Sequence, residues 1–471
     1  MIEFLVAFNV FVFGYFLVLN GTYLILIFLG WQTIRRRSLS SDLLDHEQMI
    51  QSPLIRPVSI IAAAYNEEAS IVSSVHSLLK LQYPKFEVVV VNDGSTDSTL
   101  DLLRKEFELH PSVLVYRHQV PCAPIRGIYV SAKYPDLVVV DKVNGGSKAD
   151  TSNAGLNVAR HPLVCVIDAD SLLPPDALLN LVRPFFEDPR TLASGGSLRV
   201  LNGCKVDLGR ITEIRLPKNW LACVQALEYL RAYLYGRLGW DRLGATLIIS
   251  GGCGMFDRAA TVAVGGYDSK SLGEDFDMVC RLQDLRYRNF PERRITFVPE
   301  SVCWTEVPET LTVYRRQRSR WMRGLIDVLR NHRSMILNPK RGMVGMVAMP
   351  YYILFELLAP FIETTGYIVF ILCWALGLLN YEFVFWFLAV SVFLGILLSA
   401  AAVSLMLIST APYKSFRDVA KLMACCVIEG FGVRQLHNIY RIYGAIEYLQ
   451  GKRGWGVMTR VGAAPTAPLA Q

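Results

Sequence analysis

The sequence predicts an α/β fold, a doubly wound and mostly parallel sheet with flanking transmembrane and interfacial helices. Short apolar runs at 58–64, 88–91, 137–140 and 163–167 each end in a polar loop, and helical spacing of apolar residues follows the first two. Continuously apolar strands of this kind suit a parallel sheet covered on both faces. Residues 4–30 carry no charge, and long apolar stretches return at about 343–378 and 381–410. At a rise of about 1.5 Å per residue, each is long enough to cross a bilayer core.

Taken in order, residues 1–34 read as a transmembrane helix. A cleaved signal peptide is the alternative, but the segment has no basic leader and no small-residue cleavage site before Trp31. Arg35, Arg36 and Arg37 follow, so the positive-inside rule puts the 35–53 linker and the 54–335 domain in the cytosol. Within that domain Asn66, Asp93 and Asp168 all fall just after apolar runs, at the carboxyl edge of the sheet where doubly wound folds bind ligands. Between 218 and 245, Trp220, Leu221, Val224, Leu227, Leu230, Tyr233 and Leu234 form one apolar face. That face fits a helix on the membrane surface or a surface helix of the domain. Residues 336–450 read as a C-terminal transmembrane region with a partial or interfacial insertion near 422–433, and 451–471 as a cytosolic tail.

The 471 residues carry a net charge of +7, and the basic residues gather beside the apolar segments. This distribution fits an anionic leaflet and an anionic substrate, and no nucleic-acid partner is expected. The ten cysteines include no CxxC pair, so they read as reduced, buried small hydrophobes without a zinc site.

Several short runs bear chemistry. Asp168 and Asp170, two apart at a strand end, can share a hard divalent cation with phosphate oxygens, or Asp170 can simply cap the helix that follows. Glu274 and Asp275 start a helical pattern, where the helix dipole favours acids and where a carboxylate can also serve as a general base. Gln317, Arg318, Arg320 and Trp321 combine cations for a phosphate with a flat face for a sugar, although a basic helix on lipid headgroups has a similar composition.

Together, AAYNEE (63–68), VVNDGSTDST (90–99), NGGSKADTSNAGLN (144–157), DAD (168–170), SGGCGMFDR (250–258), GEDFDM (273–278) and QRSRW (317–321) resemble the membrane-embedded, processive family 2 glycosyltransferases. These include cellulose, chitin, hyaluronan and poly-N-acetylglucosamine synthases. WGVMTR (455–460) is similar to a tail motif of that family. The resemblance implies a GT-A-like catalytic domain and inverting transfer from a UDP-sugar to a growing β-linked glycan. Tyr65, Glu67, Asp93 and Lys148 would then hold the nucleotide, and Asp168 and Asp170 a Mg²⁺ or Mn²⁺ ion. Asp275 would be the general base with Glu274 beside it, and Gly251, Gly252, Cys253 and Gly254 would line the acceptor path. Gln317, Arg318, Arg320 and Trp321 would bind the diphosphate and frame the acceptor, with Trp455 and Arg460 contributing from the tail.

The sequence departs from the family pattern at Gly273, where a hydroxyl is usual, and at SGGCG, which lacks the aromatic lead of cellulose synthases. Overall resemblance favours UDP-N-acetylglucosamine as donor. The expected location is a bacterial-type inner or plasma membrane, multi-pass, with accessory export proteins as possible partners. A non-processive transferase acting on a lipid acceptor is the nearest alternative. A nucleotide-binding transporter or scaffold is a more distant one, since no paired repeat is visible among the spans.

Overall fold

The structure, a computed structural model, describes residues 2–41, 46–169, 171–207, 209–409, 412–413, 415–452 and 454. It divides into two compact units, one built from residues 2–35, Leu216–Ala245 and 307–454, the other from Arg36–Arg215 and Thr246–Glu306.

The second unit is the α/β one. Its strands are β1 (Val58–Ala64), β2 (Phe86–Asn92), β3 (Leu109–Pro111), β4 (Ile125–Ser131), β5 (Leu137–Lys142), β6 (Leu163–Asp168), β7 (Thr191–Val200), β8 (Lys205–Asp207), β9 (Arg210–Glu213), β10 (Cys253–Asp257) and β11 (Arg294–Thr305). Nine form one sheet in the order β11-β7-β10-β6-β1-β2-β5-β4-β3, and β8 pairs with β9 in a small hairpin. The expected parallel arrangement holds across β6, β1, β2 and β5 and again between β7 and β11. Their Val and Ile residues are buried, as a sheet covered on both faces requires. β10 runs antiparallel to both its neighbours, and β4 and β3 are antiparallel at one edge.

The reversal at β10 matters for the site. Cys253, its first residue, pairs with Ile167 next to the last residue of β6, so the loop leading into β10 arrives where Asp168 leaves. The Lys148–Val158 helix lies over this part of the sheet. Its Ala154, Leu156 and Val158 join a core with Ile61, Val91 and Val166.

The first unit is helical. Among the described residues, Ile2–Arg37 and Tyr381–Ser409 are long and apolar enough to cross a membrane. Val344–Leu357 and Ala359–Ala375, bent by 44° relative to each other, add a third if counted as one span. Pro360 accounts for the bend, because its ring displaces the carbonyl four residues earlier and it has no N–H to donate. That carbonyl belongs to Glu356 and is caught instead by the Arg441 guanidinium, which also reaches Glu356 Oε2 at 3.1 Å.

Other charges in this unit are paired in the same way. Glu363, buried, accepts from Arg434 at 2.6 and 2.9 Å and from Asn438 at 2.9 Å, and Arg231 pairs with Glu429. Such pairing offsets the cost of holding charges among apolar helices. The weak segment near 422–433 contains the end of the Phe416–Ile428 helix and a break at Phe431 and Gly432, where Gly432 has φ +109°, before the Arg434–Leu449 helix. The Trp220–Arg231 helix groups with this unit and buries Leu221 through Leu227, so its apolar face packs on other helices.

Candidate active site

The α/β unit gathers its acids through one lysine. Ser147 caps the Lys148–Val158 helix, its Oγ accepting from the Asp150 N–H, and this fixes Lys148 at the first position. Lys148 Nζ donates to Asp168 Oδ1 at 2.5 Å and to the Gly251 carbonyl at 2.5 Å. The Gly251 N–H in turn donates to Asp275 Oδ2 at 3.0 Å, and the Phe276 N–H donates to Asp275 Oδ1 at 2.8 Å. Asp168 and Asp275, more than a hundred positions apart in the chain, are thus joined through Lys148 and one glycine.

Burial alone would lower the Lys148 pKa, but Asp168, Glu274 and Asp275 outweigh it and hold the pKa above the usual lysine value. A small cleft is lined by Lys148, Ser152, Ser250, Tyr267, Glu274 and Asp275 among others. Burial, reinforced by Glu274 and Asp275, raises the Tyr267 pKa and keeps its hydroxyl protonated.

The glycines here lie beside both carboxylates. A Cβ on Gly251 would stand 3.5 Å from Asp275 Oδ2 and 3.7 Å from Lys148 Nζ, and one on Gly252 would stand 3.7 Å from Asp168 Oδ2. Bare backbone therefore separates the two carboxylates. Gly254 is tighter, since a Cβ there would meet Ile249 Cγ2 at 2.6 Å. Cys253 is fully buried with its thiol 4.0 Å from that of Cys165, and this contact together with burial holds its pKa well above the usual value.

The residues expected to hold the nucleotide sit on neighbouring loops. Tyr65 is half exposed. The Glu67 N–H donates to Thr99 Oγ1 at 2.9 Å, and its carboxylate accepts from Ser70 at 2.9 Å. Asn66, at φ +55°, accepts the Thr96 N–H at 2.9 Å, so the loops after β1 and β2 are tied together. Asp93 is buried, pairs with Lys142 and accepts the Gly145 N–H at 3.1 Å. Lys142, fully buried and also 2.6 Å from Asp150, went unnoticed in the sequence reading. A lysine closing a run of valines, with Asp93 just past the end of β2 and Asp150 in the helix that follows, was the available signal.

Gln317, Arg318, Arg320 and Trp321 lie on the Leu311–Asn331 helix of the helical unit. Gln317 is buried, and its Oε1 has no hydrogen-bond partner among the described residues. Arg318 is buried against Glu228, Ser319 bonds to Glu447, and Trp321 is 42% exposed. Asp170, Trp455 and Arg460 lie outside the described residues.

Asp168 fits a hard divalent cation of the Mg²⁺ or Mn²⁺ kind. It is an oxygen donor at a strand end, and its side chain is 37% exposed. Among the described residues no three acidic, His or Cys side chains converge as a cage.

The sequence pattern described as Glycosyl transferase family group 2 matches residues 163–413, more than half of the chain. The chain belongs to this family. That described as Glycosyl transferase family 2 also matches residues 59–124, the first strands of the sheet. Together the two matches place a family 2 glycosyltransferase domain over most of the sheet unit.

Within the glycosyltransferases, the chain is 29% identical over 272 residues to the poly-beta-1,6-N-acetyl-D-glucosamine synthase of Staphylococcus aureus strain COL, covering 58% of this chain and 55% of that protein. The synthase of the same name from Staphylococcus epidermidis is 28% identical over 286 residues, covering 60% and 57%. The chain thus spans somewhat more than half the length of these relatives. A solved mannosyltransferase, PcManGT from Pyrobaculum calidifontis in complex with GDP-Man and Mn²⁺, superposes with a TM-score of 0.51 at 18% identity, covering 94% of this chain and 99% of that one. This likeness supports the GT-A-like fold.

Proposed function

We propose that this glycosyltransferase moves a sugar from a UDP-sugar, UDP-N-acetylglucosamine by preference, onto the end of a growing β-linked glycan at the inner face of a membrane. The observation that carries this reading is the bridge from Asp168 through Lys148 and Gly251 to Asp275. It holds an acid suited to the donor's phosphates and an acid suited to a proton at the two ends of one strip.

In the reaction, the acceptor hydroxyl oxygen attacks the anomeric carbon and its proton passes to the Asp275 carboxylate. The bond from the anomeric carbon to the phosphate oxygen breaks, and its electron pair leaves with UDP. In-line displacement inverts the anomeric centre, so an α-linked donor yields a β-linked product. Lys148 balances charge on the departing diphosphate, and a divalent cation on Asp168 and Asp170 adds to that charge balance when bound.

Tyr65, Glu67 and Asp93 are assigned to the nucleotide. The QRSRW resemblance assigns Gln317 and Arg320 to the diphosphate and Trp321 to the acceptor sugar. The orphaned Gln317 oxygen is an acceptor and calls for a donor such as a sugar hydroxyl, so it supports a sugar beside Gln317, while the diphosphate assignment rests on the resemblance. The relatives named as poly-beta-1,6-N-acetyl-D-glucosamine synthases support a polymeric product, and the long apolar helices of the same chain are the motive for proposing that it is extruded through the membrane as it grows.

A panel of UDP-sugars assayed for released UDP, followed by sizing of the labelled product, tests this reading. UDP-N-acetylglucosamine should turn over fastest, yield a high-molecular-weight product, and stop on chelation until Mg²⁺ or Mn²⁺ is restored. A single sugar on an extractable lipid would replace the polymer reading with the lipid-acceptor one. Turnover unaffected by chelation would remove the metal.

A further inference from the structure

Arg318 lies within the QRSRW run, yet its side chain is only 1% exposed. Its Nη1 is 2.5 Å from Glu228 Oε1 and its Nη2 2.7 Å from Oε2, a bidentate pair that occupies the fork a phosphate would use. The guanidinium centre stands 4.5 Å from the Tyr314 ring centroid and 4.4 Å from that of Trp321. Tyr314 comes four residues earlier and Trp321 three later, so both rings fall on the same helix face as Arg318. Tyr314 is itself anchored, its hydroxyl 3.2 Å from His437 Nδ1. Glu228 comes from the buried Trp220–Arg231 helix.

Each contact constrains the next. The carboxylate fixes the plane of the guanidinium, and a desolvated cation over an indole restrains the ring's rotamer. Trp321 is half open to its surroundings and would otherwise sample several rotamers.

We infer that Glu228, acting through Arg318, positions the Trp321 ring for the acceptor sugar, which makes Arg318 a positioning residue and not a phosphate ligand. The inference rests on the reading of Trp321 as the acceptor platform. It gives the Trp220–Arg231 helix a part in acceptor handling that does not involve touching either substrate.

The test uses the full-length protein in detergent, with variants Glu228→Gln, Arg318→Met, Arg318→Lys, the Glu228→Gln/Arg318→Met double and Trp321→Ala. UDP affinity is measured by calorimetry and transfer with the UDP-sugar that supports turnover. Transfer should fall at least tenfold in both single variants while UDP affinity stays within twofold. Arg318→Lys should not restore transfer, because it keeps the charge but loses the fork and the flat face. The double variant should be no worse than the weaker single.

Wild-type transfer in Glu228→Gln, UDP affinity falling in step with transfer, or single effects that multiply in the double variant would each overturn the relay. Glu228→Gln preserves shape, so it carries the test if Arg318→Met does not fold. Wild-type transfer in Trp321→Ala would overturn the platform reading itself. Loss there with Glu228→Gln intact would overturn only the relay.

Discussion

In the sheet unit Lys148 divides its ammonium between a carboxylate with 37% of its side chain exposed, Asp168, and a backbone carbonyl, whereas in the helical unit Glu363 is 2% exposed and receives three nitrogens from Arg434 and Asn438. The first cluster keeps lone pairs open on one side and is built from strand ends and helix starts, where backbone N–H groups are spare. The second encloses its carboxylate with nitrogen donors, as a charge packed among apolar helices requires. Open clusters can exchange partners with a substrate, and closed ones hold helices in register. Substitutions in the two units should therefore fail in different ways, one in rate and the other in stability.

The largest effect expected is in the open cluster. Asp275→Asn keeps an oxygen for only one of the Gly251 and Phe276 N–H groups and cannot take a proton, so transfer should fall by about 10²- to 10⁴-fold. UDP affinity should stay near wild type while the melting temperature drops modestly for the one N–H bond lost, and single-turnover assays with calorimetry and a thermal melt on the same sample check all three. In the closed cluster, Glu363→Gln leaves the Arg434 charge uncompensated and should cost about 3 kcal/mol or more. This would be read as a lowered melting temperature with UDP affinity unchanged below it.

Gly444→Ala comes next. Its Cβ would meet the Ser319 carbonyl oxygen at 2.6 Å, where the Arg434–Leu449 helix presses on the QRSRW helix. Overpacking of this kind costs about 1–3 kcal/mol, and both stability and transfer should drop together. Ser147→Ala removes the cap that places Lys148 and should cost about 1 kcal/mol. Thermal melts resolve it, with a modest loss of UDP affinity alongside.

The parallel centre of the sheet was legible because its strands read as short, nearly continuous apolar runs; β1 begins and ends where the pattern does. The sequence pattern carried no sign of the reversed direction of β10, since CGMFD looks the same whichever way its neighbours run. Asp168, Asp275 and Lys148 were legible as chemistry at element ends, but the bridge between them runs through a glycine amide and carbonyl, and backbone groups leave no mark in residue identity. Arg318 was read alongside Arg320 because the two are alike as residues. Glu228, ninety positions earlier in the chain, separates them, and a partner that distant shows only once the helices are packed.

The direction of β10 has one further consequence. A strand that enters where its neighbour exits turns the preceding loop into a ruler, whose length sets how far the Gly251 amide stands from Asp275. Inserting one residue ahead of Cys253 would shift that ruler by a single notch. Either the amide would leave Asp275, or the strand would slip and every side chain from Cys253 to Asp257 would change faces, turning Phe256 out of the core. Tolerance to insertion should therefore end abruptly at this loop, while the surrounding surface loops continue to accept added residues.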